Sequence, residues 1–182
     1  MVKTPLSILF AAVVVVQTHA VKFIPEVDAE DGRRLGGGKL YGHIQDDFCD
    51  LCIELKGGNT DNLTKLWWNK CKKGKKSQLW RFDKVTNNCS GLGKIHSKLD
   101  DDKCIQVNKS YKPMTRLRLF DCKNNRDHQK WNFCGDGIHP IKEKDLLVYS
   151  PKANGAQRYD PLVISDRNTW SLDFTEDPSE CE

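Results

Sequence analysis

Two cysteines separated by two residues, in Cys49-Asp50-Leu51-Cys52, have the most reactive spacing in the sequence. A C-x-x-C pair serves thiol–disulfide exchange within a thioredoxin-like βαβ unit, and it ligates zinc when a second pair accompanies it. No βαβ pattern surrounds this motif, and the other six cysteines include no second C-x-x-C. The sequence therefore predicts structural cysteines, with no metal and no other cofactor.

Two charged runs could attract ligands by electrostatics. KCKKGKK at 70–76 contains five lysines, which suit an acidic glycan, a phosphate or a membrane surface. Asp100-Asp101-Asp102 offers carboxylates, but it lacks the further spaced oxygen ligands of a calcium loop. We interpret the first run as a solvated loop and the second as a turn that leads into Cys104.

Catalytic motifs are missing from the sequence. It contains no G-x-S-x-G, no H-E-x-x-H, no glycine-rich phosphate loop and no obvious nucleophile with an orienting base. His43, His96 and His139 each neighbour an isoleucine in a similar turn, which indicates turn or surface residues. We therefore predict that the protein is not an enzyme.

Residues 1–20 have the layout of a secretory signal peptide. Lys3 precedes an apolar run from Leu6 to Val16, and small residues follow at Thr18 and Ala20. That run is too short to cross a bilayer comfortably, and no later segment is as apolar. We expect a secreted, extracellular protein without membrane insertion, in which the eight cysteines form disulfides.

Three glycosylation sequons agree with that route, at Asn62, Asn88 and Asn108, and their occupancy is left open. The formal net charge of +4 argues against nucleic acid as a partner, because nucleic-acid-binding proteins present a dominant basic face. Residues 21–40 are rich in glycine and charge, so we predict a flexible segment there, and a short tail at 176–182.

Behind these groups lies a pattern that occurs three times. Gln78-Leu79-Trp80 returns as Gln129-Lys130-Trp131, and Trp170 ends a degraded third copy. A glycine–isoleucine turn opens each copy, at 42–44, 93–95 and 137–138, and an apolar strand begins 8, 9 and 8 residues after the isoleucine. A three-fold repeat predicts three units that close around a shared interior.

The segments within each unit predict short strands. Apolar residues alternate at 52–55, 117–120 and 162–164, while Gly, Asn, Asp and Pro fill the loops. Many short strands at regular spacing indicate an all-β barrel or sandwich. The predicted fold class is therefore all-β, with three pseudo-symmetric repeats.

Through the two Gln-x-Trp motifs and the cysteines that flank the loops, residues 41–175 resemble the ricin B-type lectins. This resemblance implies a disulfide-stabilised β-trefoil whose Gln and Trp residues are structural, with the Trp rings filling the core near the three-fold axis. It also implies a carbohydrate-binding protein whose partners are glycans or glycoproteins. The alternative is a trefoil that has lost sugar binding and engages a protein or an anionic surface.

The resemblance further implies disulfides between Cys52 and Cys71 and between Cys104 and Cys122. Leu146 and Asp166 take the corresponding places in the third unit, which is therefore expected to lack this bond. Four more cysteines allow three pairings, among which closure of the trefoil favours the first with the last: Cys49, Cys89, Cys134 and Cys181.

Sugar pockets in this family combine an acid, a polar residue, an aromatic and an Asn at fixed places in each unit. A carboxylate or amide exchanges paired hydrogen bonds with neighbouring hydroxyls, while the aromatic face covers the C–H side of the sugar. In the first unit these places are held by Glu54, Trp67, Asn69 and Ser77. In the second unit they are held by Gln106, Arg118, Phe120 and His128.

No unit retains the whole pattern. Glu54 keeps the acid of the first unit, where Trp67 could face a sugar or pack under the lysine-rich loop instead. Phe120 keeps the aromatic wall of the second unit, but Gln106 replaces the acid. Val148 stands at the acid place of the third unit, so we expect pockets in the first two units alone.

Overall fold

The computed structural model describes residues 21–25, 39, 41–46, 51–83, 93–134, 137–149 and 157–166, with residues 21–25 described by their backbone. These residues form twelve strands: β1 Val21–Pro25, β2 Gly42–Asp46, β3 Leu51–Leu55, β4 Leu66–Lys70, β5 Trp80–Phe82, β6 Ile95–Ser97, β7 Lys103–Val107, β8 Thr115–Asp121, β9 Trp131–Cys134, β10 Gly137–Pro140, β11 Leu146–Tyr149 and β12 Val163–Asp166. Three single-turn 3-10 helices accompany them: η1 Lys56–Gly58, η2 Lys76–Gln78 and η3 Asp127–Gln129. The predicted all-β class is confirmed, and the described residues contain no helix long and apolar enough to cross a membrane.

Three antiparallel hairpins, β3–β4, β7–β8 and β11–β12, meet around one axis. Leu66, Leu117 and Leu162 lie where they meet, and each is at most 1 % exposed. The N–H of Leu117 donates to the carbonyl of Leu162 at 2.9 Å, and the N–H of Leu162 donates to the carbonyl of Leu66 at 3.0 Å. These axial leucines join the three hairpins through both the main chain and the core.

The residues that flank the axial leucines repeat one contact three times. In each contact, the residue before one leucine pairs with the residue after another: Lys65 with Arg118, Arg116 with Val163, and Pro161 with Trp67. This cyclic pattern defines a pseudo-three-fold axis. The arrangement is that of a β-trefoil, as the resemblance to the ricin B-type lectins implied.

Trp80 and Trp131 hold equivalent positions beneath the first and second hairpins. Both are 0 % exposed. The indole Nε1 of Trp80 donates to the carbonyl of Ile53 at 2.9 Å, and that of Trp131 donates to the carbonyl of Ile105 at 3.2 Å. The structural role predicted for these two rings is confirmed, whereas Trp170 lies outside the described residues.

Each Gln of the Gln-x-Trp motif forms hydrogen bonds with the main chain at the end of a hairpin. Gln78 accepts a hydrogen bond from the N–H of Lys72 and donates one to the carbonyl of Lys70, at 2.8 and 2.9 Å. Gln129 repeats this with Lys123 and Asp121, at 2.7 and 2.8 Å. A fully buried amide must satisfy its polar groups, so these paired bonds explain why Gln precedes Trp in both copies.

The two predicted disulfides are confirmed. Cys52 bonds with Cys71 and Cys104 with Cys122, at Cα–Cα distances of 5.0 and 5.1 Å. Cys134 is also in a disulfide, and its partner lies outside the described residues, as do Cys49, Cys89 and Cys181. The predicted pairing of those four cysteines stays a prediction.

Two described parts of the stretch expected to be flexible, residues 21–25 and Lys39, contact the rest of the fold, while the other residues of 21–40 lie outside the described residues. Val21–Pro25 forms β1, which pairs with β2 along its full length. Lys39 donates a hydrogen bond to the carboxylate of Asp101. β2 forms only single-residue ladders with β3 and β5, so most of its length is available to a further strand. The composition of 21–40 concealed this pairing because glycine and charge are concentrated after its first five residues.

The third hairpin shifts by one residue relative to the expected alignment. The residue two beyond the axial leucine pairs with Val148 in this hairpin and with Ile53 in the first. Val148 therefore corresponds to the core residue Ile53. Tyr149, rather than Val148, corresponds to the acid Glu54.

The same shift corrects the place of the absent third disulfide. Leu146 and Asp166 pair directly with each other, whereas Cys52 pairs with the residue two before its disulfide partner. Leu147 therefore corresponds to Cys52, instead of Leu146, and the place that corresponds to Cys71 falls beyond Asp166, outside the described residues. Sequence spacing missed the shift because leucine occupies both 146 and 147.

Candidate functional site

In the first unit, residues of the predicted pocket form an internal polar cluster. The Glu54 side chain is 5 % exposed, and its Oε2 accepts hydrogen bonds from Asn69 at 3.0 Å and Gln78 at 2.7 Å. Its Oε1 accepts one from the Lys75 ammonium at 2.7 Å. Ser77 is buried beside Gln78 in η2. The structure brings Glu54, Asn69 and Ser77 together, but both carboxylate oxygens already have partners.

Trp67 is covered by residues from elsewhere in the chain. Its ring lies 5.0 Å from the ring of Tyr159, and the Lys56 ammonium lies 5.3 Å from its centroid. Arg158 donates to the Oδ1 of Asn69 at 3.0 Å, so the loop before β12 covers the first unit. Trp67 therefore packs against Tyr159 and against Lys56, which lies outside the lysine-rich loop.

The second unit contains an open cavity of about 570 Å³. Three of the four residues predicted for this unit line it: Gln106, Phe120 and His128. Arg118, the fourth, pairs with Gln106 across β7–β8 and lies outside the cavity lining. The cavity combines apolar ring faces with polar groups, as small-ligand sites usually do.

A ring pair that sequence reasoning missed forms one wall of this cavity. Tyr111 stacks on His128 with their centroids 4.6 Å apart and their planes 26° apart. The His128 Nδ1 donates to the carbonyl of Val107 at 3.2 Å, which leaves Nε2 as an acceptor in the neutral ring. Burial, and then the charges of Asp127 and Glu143, raise the pKa of Tyr111 to about 12, so its phenol stays protonated. Its buried hydroxyl has no hydrogen-bond partner in the described structure.

Gln106 presents an available donor at the polar end of the cavity. Its Oε1 accepts from Gln129 at 3.0 Å and from Arg126 at 3.2 Å. These bonds fix the amide orientation, and Nε2 then has no partner among the described residues. A ligand hydroxyl could accept from that amide nitrogen.

Asp127 places a carboxylate in the lining of this cavity, and each of its oxygens has a lysine partner. Hydrogen bonds from Lys130 at 2.8 Å and Lys142 at 2.7 Å lower the pKa of Asp127 to about 2, so it is ionised at neutral pH. Sequence reasoning missed Asp127 because the family places the acid on the first strand. Its position two residues before Gln129 was the available signal.

The third unit offers different groups at the corresponding places. Tyr149 takes the acid place, and burial raises its pKa to about 12, with a smaller contribution from the charge of Asp46. Val163 and Ser165 correspond to Trp67 and Asn69, and both are 1 % exposed. None of these three third-unit residues carries a carboxylate.

His96, Cys104 and Cys122 place possible metal ligands within 4.8 Å of one another. The two sulfurs are bonded to each other, so neither is a thiolate. Both ring nitrogens of His96 also have partners, the carbonyl of Asp101 and the carboxylate of Asp83, each at 2.7 Å. This grouping does not form a metal site.

Comparison with known proteins identifies the class of this fold and site. The family described as the ricin-type beta-trefoil lectin domain matches residues 40–169. This match spans well over half of the chain. The protein therefore belongs to the ricin-type β-trefoil lectin family.

Solved structures agree with that assignment. The C-half of the earthworm R-type lectin, in complex with GalNAc, has 18% identity and a TM-score of 0.56, covering 79% of this chain and 95% of that chain. A mutant of the earthworm lectin C-terminal domain, in complex with 6'-sialyllactose, has 19% identity and a TM-score of 0.53 at the same coverage. ThreeFoil, a designed three-fold symmetric protein, has 11% identity and a TM-score of 0.55, covering 73% and 89%. At these identities the likeness establishes the β-trefoil fold, and comparison with curated proteins gave no match.

Proposed function

We propose that this protein is a secreted lectin that binds a glycan in the cavity of its second unit. The observation that carries the proposal is the open, aromatic-walled cavity, in which the Gln106 amide has an available donor. Phe120 and the Tyr111–His128 pair suit the apolar face of a sugar ring, and the amide suits its hydroxyls. The GalNAc and 6'-sialyllactose complexes of the earthworm lectin support a sugar as the ligand class.

The groups around the cavity are those of a binding site. They supply hydrogen-bond donors, acceptors and ring faces, and the proposal assigns them no catalytic step. A single shallow pocket of this kind binds with a Kd on the order of 0.1 to 1 mM, about 4 to 5.5 kcal/mol. Stronger attachment would require multivalent ligands, or several copies of the protein side by side.

Secretion is part of the proposal. The signal-like residues 1–20 and the two observed disulfides support an oxidising compartment. Asn108, which belongs to a sequon, lines the cavity, so a glycan on it would stand at the entrance. The binding test should therefore use both the native protein and an Asn108→Gln variant.

A glycan array on the disulfide-intact protein, followed by titration of the best ligand, tests this function. Phe120→Ala should weaken binding about tenfold or more, because it removes the aromatic wall. Ser77→Ala is the control at a predicted position of the first unit, and it should leave the affinity within about twofold. Unchanged binding by Phe120→Ala, or loss caused by Ser77→Ala alone, would contradict the assignment of the second-unit cavity.

A further inference from the structure

The six residues that flank the axial leucines form a ring on the side of the hairpins that faces away from the axial leucines. Bridged residues and residues two apart on a strand point to the same side of a sheet. Since the leucines point into the core, their neighbours lie on the opposite side of the hairpins, where Val163 is covered and the other five reach the surface at least in part. In order around the pseudo-three-fold axis, this axial ring consists of Lys65, Arg118, Arg116, Val163, Pro161 and Trp67.

One half of the axial ring is cationic and has no neutralising partner. Lys65 and Arg116 are exposed and Arg118 is half-buried, and none of them pairs with a carboxylate within the described residues. Other half-buried cations do form such pairs: Lys75 with Glu54, Arg81 with Asp101, and Lys103 with Asp121. The contrast marks the axial ring as a place where positive charge has been left uncompensated.

This arrangement costs free energy in the isolated protein. Burial, and then the adjacent charge of Arg116, lower the pKa of Arg118. Both effects disfavour the charged guanidinium, which nevertheless stays ionised at neutral pH. An anion bound beside these two arginines would relieve their repulsion.

The other half of the axial ring continues into aromatic residues. Trp67 packs against Tyr159, the Lys56 ammonium lies over Trp67, and the Arg158 guanidinium lies 4.7 Å from the Tyr159 ring centroid. Lys56, Arg158 and Tyr159 are exposed. Cations thus flank a pair of aromatic rings on this surface, which suits a chain of sugar rings that carries acidic groups.

We propose that the axial ring binds an acidic polysaccharide. Lys65, Arg116 and Arg118 hold its sulfate or carboxylate groups, for which the guanidinium fork provides two parallel donors. Its sugar rings lie against the exposed ring of Tyr159, which packs on Trp67. A compact group of three cations suits one or two anionic substituents, whereas a nucleic-acid duplex calls for a longer basic track. The proposal does not rest on the second-unit cavity.

Binding to immobilised heparin, measured with the disulfide-intact protein at two salt concentrations, tests this site. Arg116→Gln/Arg118→Gln should weaken capture about tenfold or more and reduce its dependence on salt. The matched control, Lys72→Gln/Lys73→Gln, removes the same charge from the lysine-rich loop and should change capture by less than about twofold. Phe120→Ala should leave heparin capture unchanged, which separates this site from the proposed lectin pocket.

The comparison ligands identify the anion. Capture of hyaluronan as well as heparin would assign carboxylate recognition, and capture of heparin alone would assign sulfate; both outcomes support the proposal. Equal losses in the two double variants would overturn it, because charge alone would then explain binding. Capture of neutral dextran that is lost in the Arg116→Gln/Arg118→Gln variant would also overturn it, as would binding to anionic phospholipid vesicles or duplex DNA in place of heparin. If the double variant unfolds at a lower temperature, Arg116→Gln alone, an exposed change, should still weaken capture several-fold.

Discussion

The first and second units use one scaffold for different ends. In both, a Gln-x-Trp motif fastens the hairpin and buries an indole, and a disulfide closes the loop. Glu54 keeps the family's acid in the first unit, yet three side chains have already taken its oxygens. Gln106 replaces the acid in the second unit, but it faces an open cavity, and its amide nitrogen has no partner among the described residues.

This difference teaches that a retained motif residue is useful to a ligand only if its hydrogen-bonding capacity is available. A carboxylate with two satisfied oxygens stabilises the fold, and binding a sugar there would first require breaking those bonds. An amide with one unsatisfied donor incurs no such cost. Local geometry therefore decides between structure and binding at the same place in the repeat.

The largest expected effect tests whether the two units share a scaffold. Trp80→Ala and Trp131→Ala should each destabilise the protein by about 3 to 5 kcal/mol, because each removes a fully buried ring and leaves its cavity behind. Urea unfolding followed by tryptophan fluorescence and circular dichroism would measure both. A cost below about 1 kcal/mol for either variant would show that the two indoles are not equivalent.

A smaller loss should follow from disturbing the polar cluster of the first unit. Glu54→Gln should destabilise the protein by about 1 to 3 kcal/mol, because Lys75 loses its charged partner and the buried hydrogen bonds weaken. Glycan binding should not change. Thermal unfolding and glycan titration of this one variant check both statements, and a fall in affinity without a fall in stability would return the sugar site to the first unit.

The reciprocal change in the second unit should affect binding more than stability. Gln106→Leu removes the available amide donor and should weaken glycan binding about tenfold. This loss corresponds to one hydrogen bond of about 1 to 1.5 kcal/mol. The free energy of unfolding should fall by only about 1 kcal/mol, since Gln129 keeps its hydrogen bond to the carbonyl of Asp121. Glycan titration and urea unfolding measure the two effects, and unchanged affinity would exclude Gln106 from the site.

The scaffold could be predicted from the sequence because the residues that build it recur in the repeats. Trp80, Trp131 and four cysteines recur at matched spacings, and repetition in register is hard to produce by chance. The third hairpin was misaligned by one residue because leucine at both 146 and 147 satisfies either alignment. Only main-chain pairing distinguishes the two.

The state of each site could not be predicted from residue types. The sequence predicted Glu54 as a ligand-binding acid, but its ion pair with Lys75 depends on the path of the loop that follows β4. Tyr111 reaches the cavity from the loop between β7 and β8, and Asp127 reaches it from the single-turn η3; neither segment has a periodic signal. Long-range packing, such as Tyr159 on Trp67, lies beyond any local pattern.

The smallest expected effect concerns the hydrogen bonds that join the first and second units at Asp101. Arg81 from the first unit and Tyr41 donate hydrogen bonds to Asp101 in the second, as does Lys39. Burial acts to raise the pKa of Asp101, but the bonds from Lys39, Tyr41 and Arg81 outweigh it and hold this pKa well below its usual range. A group whose folded pKa is depressed adds stability above its unfolded pKa of about 3.9, and that stability is lost as the pH falls further. The melting temperature of the wild type should therefore exceed that of Asp101→Asn at pH 6, and the difference should narrow below about pH 4. A constant difference in melting temperature between pH 6 and pH 2.5 would show that these contacts between the units do not depend on the charge of Asp101.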